Sequence, residues 1–275
     1  MKIALQEIPY LPFNTFRLLS AFITASLMLL FTRNSWKKVK KSDWKYFIIA
    51  GFFGFFIFQI GYPLGLTVAP VSIAAIIMAT LPVSVMLINL LAGMEKPTLK
   101  IITGISLSVL GAGIIAVGVN SSVSSKKLYG AGVLIILIAE IAYALYTVQT
   151  KHVVRKYSLF QIIFIIVIFS LIPFSFMSAK QIVRLPFSSI SLLAWAGVLY
   201  SGILGICIGN MLWFRGIDRL GSTKTSLYAN LPPVFGILSG FIFLKESMTM
   251  IQIAGAVTIA AGVILVNRKG IQKRA

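Results

Sequence analysis

Residues 81–118 read LPVSVMLINLLAGMEKPTLKIITGISLSVLGAGIIAVG, and residues 231–267 read LPPVFGILSGFIFLKESMTMIQIAGAVTIAAGVILVN. Each begins with proline inside an apolar run, passes a glutamate, and ends in a glycine-studded apolar stretch. Sliding the chain against itself by 151 positions superimposes them without a gap, and the match extends from 44–117 onto 195–268. Thirteen positions are identical, among them Trp44/Trp195, Gly51/Gly202, Gly54/Gly205, Gly65/Gly216, Pro82/Pro233, Glu95/Glu246, Gly104/Gly255 and Gly111/Gly262. Most of the identities are Trp, Gly, Pro or Glu, which an apolar composition alone does not supply. The chain carries an internal repeat.

The solvent of that repeat follows from composition. Of 275 residues 58% are hydrophobic and 11% charged, with a mean hydropathy of +0.96. A water-soluble domain keeps about a quarter of its residues charged, so lipid is the expected medium. One cysteine, Cys207, and one histidine, His152, leave no basis for a disulfide framework or a Cys/His zinc cluster within one chain. No cofactor is expected. The net charge of +19 sits in short gaps between apolar runs. That arrangement suits anionic lipid head groups at the membrane surface and not a nucleic acid.

Apolar segments of helical length occupy 13–32, 45–66, 71–93, 98–119, 129–150, 158–178, 190–214, 221–244 and 248–267. Each is close to the ~20 residues that cross the hydrocarbon core, and the alternating pattern of transmembrane strands is missing. The expected class is an all-α polytopic membrane protein. Placing the tail after residue 267 in the cytoplasm puts 18 Lys and Arg on the cytoplasmic side and 5 opposite, which is the orientation the positive-inside rule selects. The repeat unit is five helices long, and an odd number turns the second unit over. Two inverted repeats are expected: the first over 1–119, a connection over 120–128, the second over 129–267, then a basic tail over 268–275. Inverted repeats are a mark of alternating-access carriers, with the substrate held where the repeats meet.

The start of the chain, MKIALQEIPYLPFN, aligns with TKHVVRKYSLFQII at the end of segment 129–150. Lys2 to Ile8 is therefore expected to be a helical stub, with Pro9 and Pro12 making the turn into the next helix. The counterpart of 129–150, about twenty residues, is expected ahead of Met1.

The two stretches quoted first, together with KIALQEIPYLPFNTFRLLSA (2–21) and YALYTVQTKHVVRKYS (143–158), resemble the drug/metabolite transporter superfamily, EamA type. The resemblance covers essentially the whole chain and rests on patterns of Pro, Gly and Glu in apolar helices. It implies ten helices in two inverted five-helix repeats, of which this chain has nine and a stub. It also implies a secondary carrier of a bacterial inner membrane that exports amino acids, other metabolites or drugs, as a monomer or homodimer with cytoplasmic termini. The short N-terminus departs from that pattern.

Candidate site residues cluster where polar chemistry enters apolar helices. Pro82 and Pro233 are repeat mates in the middle of segments 71–93 and 221–244; proline there frees carbonyls at a depth where lipid cannot bind them. A kink without function is the competing account. Thr223, Ser226 and Asn230 share one helix face leading to Pro233, with Tyr228 on another, and Thr80 and Ser84 flank Pro82. Gln59 and Asn210 are mated amides, equally suited to helix–helix hydrogen bonding. Glu140 lies in the middle of segment 129–150, where a carboxylate is costly unless partnered or protonated, with Tyr143 and Thr147 following on its face. It is a candidate for proton coupling or for a substrate ammonium, or a structural carboxylate. Arg17 could meet a substrate carboxylate or Glu140, or snorkel to the interface. Tyr146 and Trp213 add aromatic surface for an amphipathic small molecule.

Other features are read as architecture. Glu95 and Glu246 lie at helix boundaries, where fold maintenance is expected. Gly61 and Gly65, and Gly236 and Gly240, are GxxxG pairs for close helix approach. GAGIIAVG at 111–118 has no strand before it and no Lys-Ser/Thr after it, so it is not a phosphate loop. The six acids are not adjacent and the one His is in a basic loop, so no enzyme is expected. A channel, or a membrane protein that transports nothing, remains the alternative to a carrier.

Overall fold

The computed structural model describes residues 2–32, 36–117, 126–235, 238, 242 and 249–267. Among these, all regular structure is helical: α1 (Lys2–Glu7), α2 (Tyr10–Phe31), α3 (Lys41–Leu66), α4 (Val71–Ala79), α5 (Leu81–Leu91), α6 (Leu99–Val117), α7 (Lys126–Thr150), α8 (Leu159–Val183), α9 (Leu192–Leu220), α10 (Ser222–Leu227) and α11 (Met250–Asn267). Eight described spans are long and apolar enough to cross a membrane. The protein is a polytopic helical membrane protein. Of the expected segment 221–244, the described part opens as α10 and a 3₁₀ turn over Tyr228–Asn230. Glu246, Gly236, Gly240, residues 120–125 of the expected connection, and the tail 268–275 lie outside the described residues.

Two sequence expectations change. Pro9 stands just before α2, but Pro12 lies inside its first turn and takes no part in the turn. An N–H in the first helical turn has no intrahelical acceptor, so proline loses nothing there. Segment 71–93 is two helices, α4 and α5, that meet at Thr80. Pro82 sits at the start of α5, which is where proline is tolerated best.

The 151-residue offset reproduces helix limits as well as residues. Val71–Ala79 maps onto the 222–230 stretch of α10 and its 3₁₀ turn, and Leu99–Val117 maps onto α11. Two eight-residue π-helical stretches, Ile49–Phe56 in α3 and Ser201–Ile208 in α9, are also mates to within one residue.

The described chain forms two compact units that cut across the sequence repeats. One is Met1–Phe56 with Gln149–Arg219, the other Ile57–Val148 with Leu220–Ala275. In the second unit α6 packs on its own mate, α11. A Cβ placed on Gly104 would lie 2.8 Å from Gly262 O, and one on Gly111 would lie 2.7 Å from Gly255 O. Gly104 thus faces the mate of Gly111, and Gly111 faces the mate of Gly104. Rising numbers meet falling ones, so the mates run antiparallel and the repeats are inverted. Lipid gives apolar side chains no drive to associate, and backbones brought this close gain dispersion contacts instead. Gly61 and Gly65 of α3 likewise meet Ala139 and Gly132 of α7.

The first unit repeats the device. Gly51 packs on Phe169 of α8, and its mate Gly202 packs on Arg17 O and Ser20 of α2. A π-helical turn widens the backbone and loosens its carbonyls; Ser170 Oγ donates to Gly51 O at 3.3 Å. Thr15 and Ser178 hydroxyls bond at 2.8 Å between α2 and α8. The stub α1 is held by Glu7, whose carboxylate accepts from Ser191 N at 2.6 Å and Ser191 Oγ at 2.7 Å. Those bonds, from the backbone N–H first, hold its pKa below the ordinary value.

A clasp joins the start of α3 and the residues just ahead of it to the α7–α8 connection and the first turn of α8. Asp43, 2% exposed, accepts from Lys156 Nζ and Tyr157 OH, both at 2.8 Å. Tyr157 OH in turn accepts from Lys40 N at 3.1 Å. Gln161 accepts from Lys37 N at 3.0 Å and donates to Lys37 O at 2.6 Å. Tyr46 stacks on His152 at 4.1 Å. The hydrogen bond to Asp43 raises the Lys156 pKa above its ordinary 10.5. A raised folded-state pKa adds stability below the unfolded value and loses it as pH climbs through the folded one.

Two outcomes follow. Gly111→Val drives methyls into Gly255 O and should cost about 1–3 kcal/mol or more, read as lowered thermostability in detergent. Gly113→Ala, where a Cβ meets nothing within 4 Å, should be neutral. Lys156→Met should destabilise the protein by about 1–3 kcal/mol at neutral pH, and the gap to wild type should narrow above about pH 10.5.

Candidate functional site

The site begins with a carbonyl that has lost its helical donors. In an unbroken helix the carbonyl of Ala79 would accept from residue 82 or 83. Residue 82 is proline, and Val83 N donates to Thr80 O at 2.8 Å instead. Thr80 closes α4 by donating its hydroxyl to Ile77 O at 2.6 Å. The freed Ala79 O is taken by Asn230 Nδ2 at 3.1 Å, and the same amide donates to Ser108 Oγ of α6 at 3.0 Å. Ala79 and Asn230 are repeat mates. Contact between a residue and its own mate marks the pseudo-twofold axis, so both helix breaks meet there.

Beside them lies a cavity of about 420 Å³. Phe58, Tyr62, Met78 and Ile115 form apolar and aromatic wall, and Ala229, Asn230, Pro232 and Pro233 form the broken-helix wall. Phe58 stacks on Tyr62 at 5.7 Å and on Tyr143 at 4.5 Å, and Tyr143 stacks on Tyr146 at 5.5 Å. This places Tyr143 behind the lining.

Glu140 is 1% exposed and lies halfway along the span Gly130–Thr150. Its Oε2 accepts from Ser84 Oγ of α5 at 3.1 Å, and its Oε1 is buried with no hydrogen-bond partner among the described residues. Pro82 and Ser84 thus link the carboxylate's helix to the break at Thr80.

A second polar cluster holds the start of α10. Gly93, at φ +66°, ends α5 in a left-handed turn, with Gly93 N on Leu90 O at 3.0 Å and Met94 N on Asn89 O at 2.8 Å. That turn sets Glu95 beside Gly221, whose φ of +87° again favours glycine. Glu95 accepts from Thr223 Oγ1 at 2.5 Å and Ser222 Oγ at 3.4 Å. Asn89 Nδ2 donates to the same two hydroxyls at 3.0 and 2.8 Å.

The remaining candidates divide plainly. Thr147 donates to Tyr143 O at 2.9 Å and Ser226 to Thr223 O at 2.8 Å, so both hydroxyls serve their own helices. Tyr228 is exposed. Gln59 is buried in α3, one position from the cavity-lining Phe58. Asn210, Trp213 and Arg17 belong to the first unit. Asn210 donates to Ile206 O at 2.8 Å, inside the π-helical stretch. Trp213 is half-buried in α9. Arg17 is half-buried, its guanidinium 6.0 Å from the Phe13 ring. Sequence reasoning missed Ser108, Asn89, Phe58 and Tyr62. An asparagine inside an apolar span is a signal in its own right, and Asn89 could have been singled out by it.

Comparison with known proteins bears on this geometry. The model of the EamA-like transporter family matches residues 1–117 and 130–268. The uncharacterized transporter YyaM of Bacillus subtilis is 26% identical, over 86% of this chain and 78% of its own. A probable terminal-alkyne amino-acid exporter of Streptantibioticus cattleyicolor is 25% identical over the same shares. A solved crystal structure shares the fold at a TM-score of 0.76 and 14% identity, covering 97% of this chain and 91% of that one. With both halves of its length matched, the chain belongs to the EamA-like transporter family.

Proposed function

We propose that this protein is a secondary carrier that exports small metabolites such as amino acids, or drugs, across the plasma membrane by alternating access. The observation that carries the proposal is the cavity beside two mated helix breaks, closed by the bond from Asn230 to Ala79 O. Discontinuous helices at a pseudo-twofold axis are the parts from which carriers of inverted-repeat design build a substrate site. The exporter of an amino acid among the relatives supports the substrate class. The excess of Lys and Arg supports a cytoplasmic C-terminus with anionic lipid at that face, and the resemblance to the family supports a bacterial inner membrane.

Glu140 is the proposed coupling group. It is buried, half satisfied by Ser84, and within one helix turn of Tyr143, whose ring backs the cavity wall. Protonation removes the charge from the acceptor of the Ser84 bond and weakens it, a change that would reach α5 directly. A buried carboxylate at such depth is costly to keep, which supports a functional role for it.

Flux into proteoliposomes with defined internal pH tests both statements. Wild-type protein should give saturable uptake and counterflow of an amino acid or drug found by an efflux screen in cells. Linear flux with unitary currents would establish a channel in its place. Glu140→Gln should keep counterflow and thermostability while losing acceleration by a pH gradient. A gradient response equal to wild type would sink the coupling role.

A further inference from the structure

We infer that the cavity recognises its ligand through the ligand's own hydrogen-bond donor, an N–H, O–H or ammonium, received by Ala229 O and Asn230 Oδ1. The inference rests on the proposed use of this cavity as the substrate site and deepens it.

The first observation is covalent. Ala229 O would accept from residue 232 or 233 in a helix, and both are proline. Neither has an N–H to give. The neighbouring amide, Leu231 N, donates to Tyr228 O at 3.1 Å. No hydrogen bond reaches Ala229 O among the described residues, and Ala229 lines the cavity.

The second observation concerns Asn230. An asparagine amide has two protons and one carbonyl oxygen. Both bonds the amide makes are donated, to Ala79 O and to Ser108 Oγ. The first fixes the assignment of the amide, because a backbone carbonyl can only accept. Oδ1 is what remains, and it can only accept. The break therefore presents two oxygens in excess and, with prolines at 232 and 233, no amide N–H at those positions.

The third observation is the rest of the wall. Of the lining side chains only Asn230 and Tyr62 are strongly polar, and none is charged. The stack of Tyr62, Phe58 and Tyr143 offers a flat aromatic face. A bare carboxylate placed at the break would meet oxygen on oxygen. A flat apolar body carrying a donor at one end fits both halves of the cavity. Ala79, the mate of Asn230, carries only a methyl, so the donor end has one place to go.

The test uses two ring systems of matched shape. Indole carries an N–H where benzofuran carries an acceptor oxygen. Binding of each to full-length protein in lipid nanodiscs is measured by titration calorimetry, with empty nanodiscs subtracted. Indole should bind about tenfold more tightly than benzofuran, the scale of one well-made hydrogen bond. Pro233→Ala returns an N–H to Ala229 O, and Asn230→Leu removes Oδ1; each should bring the two affinities to within about threefold. Asn230→Leu also strips Ala79 O and Ser108 of a partner and could unfold. Pro233→Ala restores an ordinary helix bond and keeps the test decisive. Equal affinities in wild type, or a preference for indole that survives Pro233→Ala, overturns the inference, and so does failure of both probes to bind. The flux assay stands apart: saturable counterflow with no preference for donors would retain the carrier and remove only this recognition.

Discussion

Inside hydrocarbon, no water takes over a backbone carbonyl that has lost its donor. Proline at 82, and at 232 and 233, creates that situation at mated places in two helices, and the surrounding structure answers it in two ways. Ala79 O is given a side-chain donor, Asn230, which brings the two breaks into contact. Ala229, whose carbonyl has no donor at 232 or 233, lines a cavity. The same chemical deficit thus yields a structural joint on one side and a receptive surface on the other. Ser108, Thr80 and Ser84 extend the joint into α6, α4 and α5, and through Ser84 to Glu140.

Close packing makes such a joint durable. A few hydroxyls and one amide cannot hold helices whose side chains are equally content in lipid. The glycine contacts of α6 with α11 and of Gly202 with α2 supply backbone-to-backbone proximity that lipid tails cannot match, and Gly51 lets the Phe169 side chain of α8 seat against the α3 backbone. Because those glycines are themselves repeat identities, one solution to the packing problem was used twice. The reciprocal pairing of Gly104 with Gly262 and Gly111 with Gly255 is the geometric consequence.

Much of this was legible in sequence, for a stated reason. Apolar runs of membrane length and the 151-residue offset gave the spans and the inversion, since lipid forces the first and an odd helix count the second. Pro82, Pro233, Asn230 and Glu140 stood out because polar or helix-breaking residues are costly at depth. The complete separation of α4 from α5 did not show, because hydropathy carries no record of a break closed by a threonine hydroxyl. Pro12 looked like a turn residue, although the first turn of a helix accepts proline without loss. The partners of Asn230 and Glu95 were out of reach as well. Ser108, Ser222 and Thr223 are more than a hundred positions away, and only the fold makes them neighbours.

Departures from symmetry carry as much meaning as the symmetry. Where the first repeat has Ala79 the second has Asn230, and where the first has Ser108 the second has Ile259. The donor and one of its acceptors therefore come from different repeats, and neither has a polar counterpart across the axis. A single asparagine satisfies Ala79 O and fixes which wall of the cavity stays short of donors. An inverted-repeat frame has two equivalent ends by construction. That one exchange of alanine for asparagine makes the ends chemically distinct, and on the proposed use of the cavity a ligand with one polar end would enter it in one orientation only.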